Sequence, residues 1–175
     1  KQIFVDHSLD FTINKKQLHV IDALGNPYPT PYFGLINSKT DEVINTVKEG
    51  YTVSQNEEIV EMVLEGMQAF GATLSVQKAG SMNGGRKVFI QLGIEGLGKV
   101  ANDVVKRFVT IIDSNDGSTS LSIGIGDLTM SCQNQFWKFY KAGDAKFRHT
   151  ATIEQKMKTI PSLIETALDA SLKQV

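Results

Sequence analysis

The sequence predicts an α+β fold: an antiparallel β-meander packed against helices, with an additional N-terminal strand region, in one domain over residues 1–175. Two observations carry this. Alternating apolar and polar residues run through Lys87–Ile94, Arg107–Ile112 and Ser118–Ile125, and Asp116-Gly117 joins the last two as a pair suited to the positive φ of a tight turn. On either side the spacing turns helical, at Ile59, Met62, Val63, Met67 and Phe70 and again at Ile153, Met157, Ile160, Ile164, Leu168 and Leu172.

Residues 1–50 read as N-terminal strands and a Pro-rich loop. Ile3-Phe4-Val5, Leu9–Leu18 and Leu18–Ile21 are short runs suited to edge strands or a small hairpin. Residues 25–31 hold Pro27, Pro29 and Pro31, which donate no ladder hydrogen bond, so an extended loop is expected there. Strands resume at Tyr32–Asn37 and Val43–Val47 around the turn Ser38–Asp41.

Residues 54–149 read as a helix plus the meander core. Ser54 stands three residues before Glu57 and Asn56 offers a second cap, so the first long helix starts here and ends at Gly71. Strands follow at Thr73–Gln77 and Lys87–Ile94 around the loop Gly80–Gly85, and residues 95–103 form a connection. After Cys132 the aromatics Phe136, Trp137, Phe139 and Tyr140 crowd onto little more than one helical turn. A C-terminal helix fills 150–172, kinked or divided by Pro161.

The chain is long enough for one ordinary core. Its formal net charge of −1 gives no global pull toward polyanions. Local charge is another matter. Residues 78–107 carry six cations against two carboxylates, while residues 41–65 carry seven carboxylates against Lys48 alone. One cysteine, Cys132, excludes an intrachain disulfide framework, and cytoplasmic residence is expected. No apolar run is long enough for a membrane span, so no membrane partner is expected. The start at Lys1 rather than Met suggests missing upstream residues.

Several chemistries fail on spacing. Gly80 and Gly85 have the gap of P-loop glycines, but Lys87 is one place late, no Ser or Thr follows it, and a strand comes next. Gly93, Gly96 and Gly98 are out of order for a dinucleotide fingerprint. Asp113–Gly117 lacks the acidic twelfth position of a calcium loop. The histidines His7, His19 and His149 are scattered, so neither a metal nor another cofactor is called for. An enzyme would have to use Cys132 with His149 and Asn134, or Asp113 with Asp116; a small buried cysteine and a hairpin turn explain these residues without catalysis.

What remains is a basic set. Arg86 and Lys87 follow a glycine turn at one strand mouth, Lys106 and Arg107 open another, and Lys138, Lys146 and Arg148 form a second basic line. Together they suggest a basic rim that neutralises phosphates while aromatic side chains stack on unpaired bases. A solvated charged surface is the competing reading.

Five phrases in order, Gly50-Tyr51-Thr52-Val53-Ser54-Gln55-Asn56, Gly84-Gly85-Arg86-Lys87-Val88, Asp116-Gly117-Ser118, Cys132-Gln133-Asn134 and Arg148-His149-Thr150, resemble the phage- and plasmid-like family known as domain of unknown function 932. Gly50 and Thr129 depart from the pattern, standing where the family commonly has arginine. The resemblance implies a phage, prophage or plasmid origin, and its order of elements is similar to that of phage single-strand annealing proteins. Taken with the basic set, it leads to the expectation of a non-enzymatic protein, in the cytoplasm of a bacterial host, that binds single-stranded DNA and assists annealing or recombination as a homo-oligomer. The alternative is a phage-encoded interaction module acting on a host protein.

Overall fold

A computed structural model describes residues 2–69, 71, 73–95, 99–100, 103–104, 107–126, 145–163 and 165–166. Two antiparallel sheets dominate, accompanied by a few short helices. A three-stranded sheet joins β1 (Ile13–Ile21), β2 (Pro27–Asn37) and β3 (Val43–Lys48) in sequence order. Helix α1 (Gln2–Asp6) precedes it, and α2 (Asn56–Ala69) follows. A five-stranded sheet then runs in the order β10-β9-β8-β5-β4, from Ala145–Phe147 through Leu121–Gly126, Arg107–Ser114 and Lys87–Glu95 to Thr73–Met82. The two-residue strands β6 (Lys99–Val100) and β7 (Asp103–Val104) pair within what the sequence suggests is a plain connection. Helix α3 covers Ile153–Met157, and helical residues follow at 160–163 and 165–166.

One face of each sheet meets in a common core. Leu35 and Ile44 from the small sheet join Leu92, Val109, Ile111 and Leu121 from the large one, together with Ile59 and Val63 of α2 and Ile153 and Met157 of α3. Each fully buried aliphatic side chain contributes about 1.5–3 kcal/mol relative to exposure. The large sheet is also buried on its second face, where Phe108 and Ile112 are covered and Gln91 Nε2 donates to Thr110 Oγ1 at 2.9 Å.

Four sequence expectations need correction. Ile3-Phe4-Val5 belongs to α1 rather than a strand: a run of three apolar residues has no period, and the helix closes at Ser8 with φ 56. The segment expected as a Pro-rich loop is the first half of β2. Asp22 donates its N–H to the Asn26 carbonyl, so Asp22/Asn26 and Val20/Tyr28 are the hydrogen-bonded pairs. Pro27 and Pro29 fall between them, where a missing N–H costs no ladder bond and blocks the outer edge. At α2 the capping partners shift by one residue: Glu58 Oε2 accepts the Gln55 N–H at 3.2 Å, and Ser54 turns inward. Strand β4 runs to Met82, so the turn is 83–86 rather than Gly80–Gly85. Helical structure breaks at 158–159 and resumes at 160–163, with Pro161 in the first turn of the second piece, where its missing N–H costs no helical bond.

Candidate functional site

Three residues distant in sequence meet beneath one end of the large sheet. Asp113 closes β8 on its core-facing side, opposite Val88. Its Oδ2 accepts from Ser54 Oγ at 2.9 Å, and its Oδ1 accepts from His149 Nε2 and the Ser114 N–H, each at 2.8 Å. Ser54 Oγ also lies 3.2 Å from His149 Nδ1. Asp113, Ser54 and His149 expose 0%, 3% and 9% of their surface, so water does not compete for these bonds.

As a carboxylate, Asp113 accepts from Ser54 Oγ and from His149 Nε2, and an imidazolium, with its second N–H on Nδ1, is the ring form that satisfies Ser54 Oγ as well. Burial alone would lower the His149 pKa, but the hydrogen bond and charge of Asp113 outweigh it and hold the pKa above its ordinary value. The Tyr51 ring stacks on His149 with centroids 5.2 Å apart. Burial first, then the carboxylates of Asp113 and Asp116, pushes the Tyr51 hydroxyl pKa upward.

This trio is not a hydrolytic triad. In a triad the serine gives its proton to the imidazole, whereas here it is committed to the carboxylate and sealed from solvent. The cluster instead ties the lead-in to α2, the end of β8 and the segment after β10, with Tyr51 and Thr150 adding a backbone bridge. The sequence phrases contain all three residues but no spacing that reveals their meeting. Asp113 passes for part of a turn, and His149 for a possible partner of Cys132. Cys132, Gln133 and Asn134 lie outside the described residues.

The basic set divides. Lys87 pairs with Ser114 at one end of the sheet, while Arg107 pairs with Ile94 at the other. Seven residues of strand, about 23 Å, separate the two rows, because successive antiparallel strands begin at opposite ends. They do not form a single rim. Arg86 donates to the Ile44 carbonyl and lies 3.6 Å from Glu42, clamping the small sheet to the large one. Asn45 supports this seam by donating to the Asp116 carbonyl, while Asn115, donating to the Gly85 carbonyl at 2.8 Å, ties together two turns of the large sheet. Lys87 reaches Ser118 Oγ at 2.7 Å and Asp116 at 3.9 Å.

Lys146 and Arg148 fall at the Lys87 end. Lys146 is opposite Ser122, itself opposite Ile112, on the face away from the core. Extending the register places Arg148 in the row of Lys87 and Ser114, three strand spacings or about 14 Å from Lys87. Both residues are exposed, Lys146 on the edge strand β10 and Arg148 just past its end. Nearby, Thr119 Oγ1 is buried without a partner among the described residues. Lys106 and Lys138 lie outside the described residues.

A cleft of about 760 Å³ opens elsewhere, between α1 and the start of α2. Its floor includes Phe4, Leu9 and Phe11, and Glu57, Glu58 and Glu61 line it. That charge disfavours a polyanion there. Among the described residues no group of three or more His, Cys, Asp or Glu is placed to hold a metal ion, and no helix is long and apolar enough to cross a membrane.

No curated protein and no solved structure matches the chain. A family model, described as a domain of unknown function (DUF932), matches residues 43–174.

Proposed function

The chain belongs to the DUF932 family, and on that premise we propose that it is a phage- or plasmid-type protein that binds single-stranded DNA and assists annealing or recombination as an oligomer, without nucleotide hydrolysis. The observation that carries this reading is the placement of Lys87, Lys146 and Arg148 on one face at one end of the large sheet.

Lys146 and Arg148 are the primary phosphate ligands, since both stand exposed at the sheet edge, Lys146 on β10 and Arg148 just past it. Lys87, largely engaged by Ser118 and Asp116, adds field rather than a direct contact. Arg86 supports the surface from behind through Ile44 and Glu42. Arg107 at the far end drops out of this patch, while Lys106 and Lys138 extend the basic set in sequence. Contacts confined to phosphates leave base edges available, which annealing requires. The sealed Ser54–Asp113–His149 cluster maintains the shape of the surface and takes no part in chemistry.

A fluorescence-anisotropy titration with a labelled oligonucleotide tests this. Binding that weakens steeply with added salt is expected. Absence of binding at low salt rejects the reading.

A further inference from the structure

The outer face of the three-stranded sheet is a second, unpartnered surface. Its register places Asn14, Lys16 and Val20 of β1 on that face, with Tyr28, Tyr32, Gly34 and Ile36 of β2 and Val43, Thr46 and Lys48 of β3, and the Leu18 side chain lies beside Gly34 there. Leu35 and Ile13 occupy the opposite, core-facing side and are buried. No strand position on the outer face is acidic. It exposes Tyr28 (51%), Tyr32 (46%), Val20 and Val43, together with Lys16 and Lys48.

The arrangement around Tyr32 is specific. Lys48 stands directly across from it on β3, and Lys16 lies on the other neighbouring strand, across from Gly34. One aromatic ring is therefore flanked by a cation on each side. Gly34 keeps the floor between the lysines low: a Cβ there would come within 3.2 Å of the Leu18 side chain. Tyr28 sits four residues away along β2, about 13 Å for a regular strand, so the two rings form separate platforms. Gln17 Nε2 donates to the carbonyls of Thr30 and Tyr32, and Thr30 Oγ1 donates to the Leu18 carbonyl at 3.1 Å, fixing the irregular stretch that carries both rings.

We propose that this face is a base-stacking platform for single-stranded nucleic acid, with Tyr32 and Tyr28 taking bases and Lys16 and Lys48 taking the adjoining phosphates. The inference rests on the single-stranded DNA reading above and adds a surface to it. Two flanking cations and no carboxylate complement a polyanion, and exposed aromatic rings accept any base by its face. Pro27 and Pro29 block the outer edge of β2 there, so docking by an added strand is disfavoured and side chains must make the contacts.

The test compares the full chain with Tyr28→Ala/Tyr32→Ala, Lys16→Gln/Lys48→Gln and Lys146→Gln/Arg148→Gln in anisotropy titrations against labelled oligothymidylate. Light scattering is run on each variant. The tyrosine variant should weaken binding about tenfold or more at fixed salt while keeping the wild-type salt dependence and unfolding midpoint. Lys16→Gln/Lys48→Gln should lower the salt dependence. If the wild type binds and depends on Lys146 and Arg148, yet the tyrosine variant binds equally well, the platform is rejected and the function proposed above stands. A tyrosine variant that changes oligomeric mass without changing affinity marks the face as a protein interface and likewise overturns the proposal. A wild type that does not bind removes both readings.

Discussion

Nε2 of His149 lies 2.8 Å from Oδ1 of Asp113, a buried ion pair joining residues 36 apart in sequence. Removing one partner strands the other charge away from water. Asp113→Asn should therefore destabilise the fold by about 3–5 kcal/mol, read as a lower urea midpoint. A loss below about 1 kcal/mol, the scale of an exposed pair, would show that the cluster does not latch these segments.

The same pair sets a pH dependence. His149 has a raised pKa in the folded chain, so its contribution is fully present below the unfolded value of about 6.5 and fades as pH rises through the folded value. Unfolding free energy measured upward from pH 6 should carry this decline. His149→Gln should be less stable at pH 6 and flatter across that window. An identical slope in wild type and variant would assign the decline elsewhere.

Gly85 takes φ 87, and a Cβ there would stand 2.8 Å from Asn37 Nδ2 and 3.0 Å from the Phe11 ring. Backbone strain alone costs about 1–2 kcal/mol, and the contact adds to it. Gly85→Ala should lower the unfolding free energy by about 2 kcal/mol or more, whereas Gly50→Ala, with nothing within 4 Å, should change it little. Equal effects would remove the close approach as the cause.

Arg86 separates support from binding. Its guanidinium holds the Ile44 carbonyl and faces Glu42; lost charge-assisted hydrogen bonds cost about 1.5–3 kcal/mol. Arg86→Ala should lower the melting temperature while leaving the salt dependence of oligonucleotide binding close to that of wild type. A large fall in salt dependence with unchanged stability would place Arg86 among the phosphate ligands.

The α+β class, α2 and the β8–β9 hairpin were legible in the sequence because each rests on local periodicity or a local turn, Gly117 taking the expected positive φ of 73. The site was less so. Arg86, Lys87 and Arg107 look alike as cations at strand mouths, and only the register shows that Lys87 and Arg107 stand at opposite ends. Knowing that β5 and β8 are consecutive antiparallel partners would have sufficed. The Ser54–Asp113–His149 meeting had no sequence signal, since separations of 59 and 36 residues are set by tertiary packing. The prolines of β2 misled because proline is excluded from the interior of sheets and tolerated at their edges, and edge position is a property of the assembled fold.

The most direct measurement is the slope of log affinity against log salt for single-stranded DNA, in wild type and in Lys146→Gln/Arg148→Gln. Each phosphate contact on a single strand contributes about 0.7 to that slope. The variant should bind with a slope shallower by about 1.4 and an unchanged unfolding midpoint. A variant whose slope matches wild type, or a wild type that shows no salt-sensitive binding, would contradict the assignment of this face to the DNA backbone.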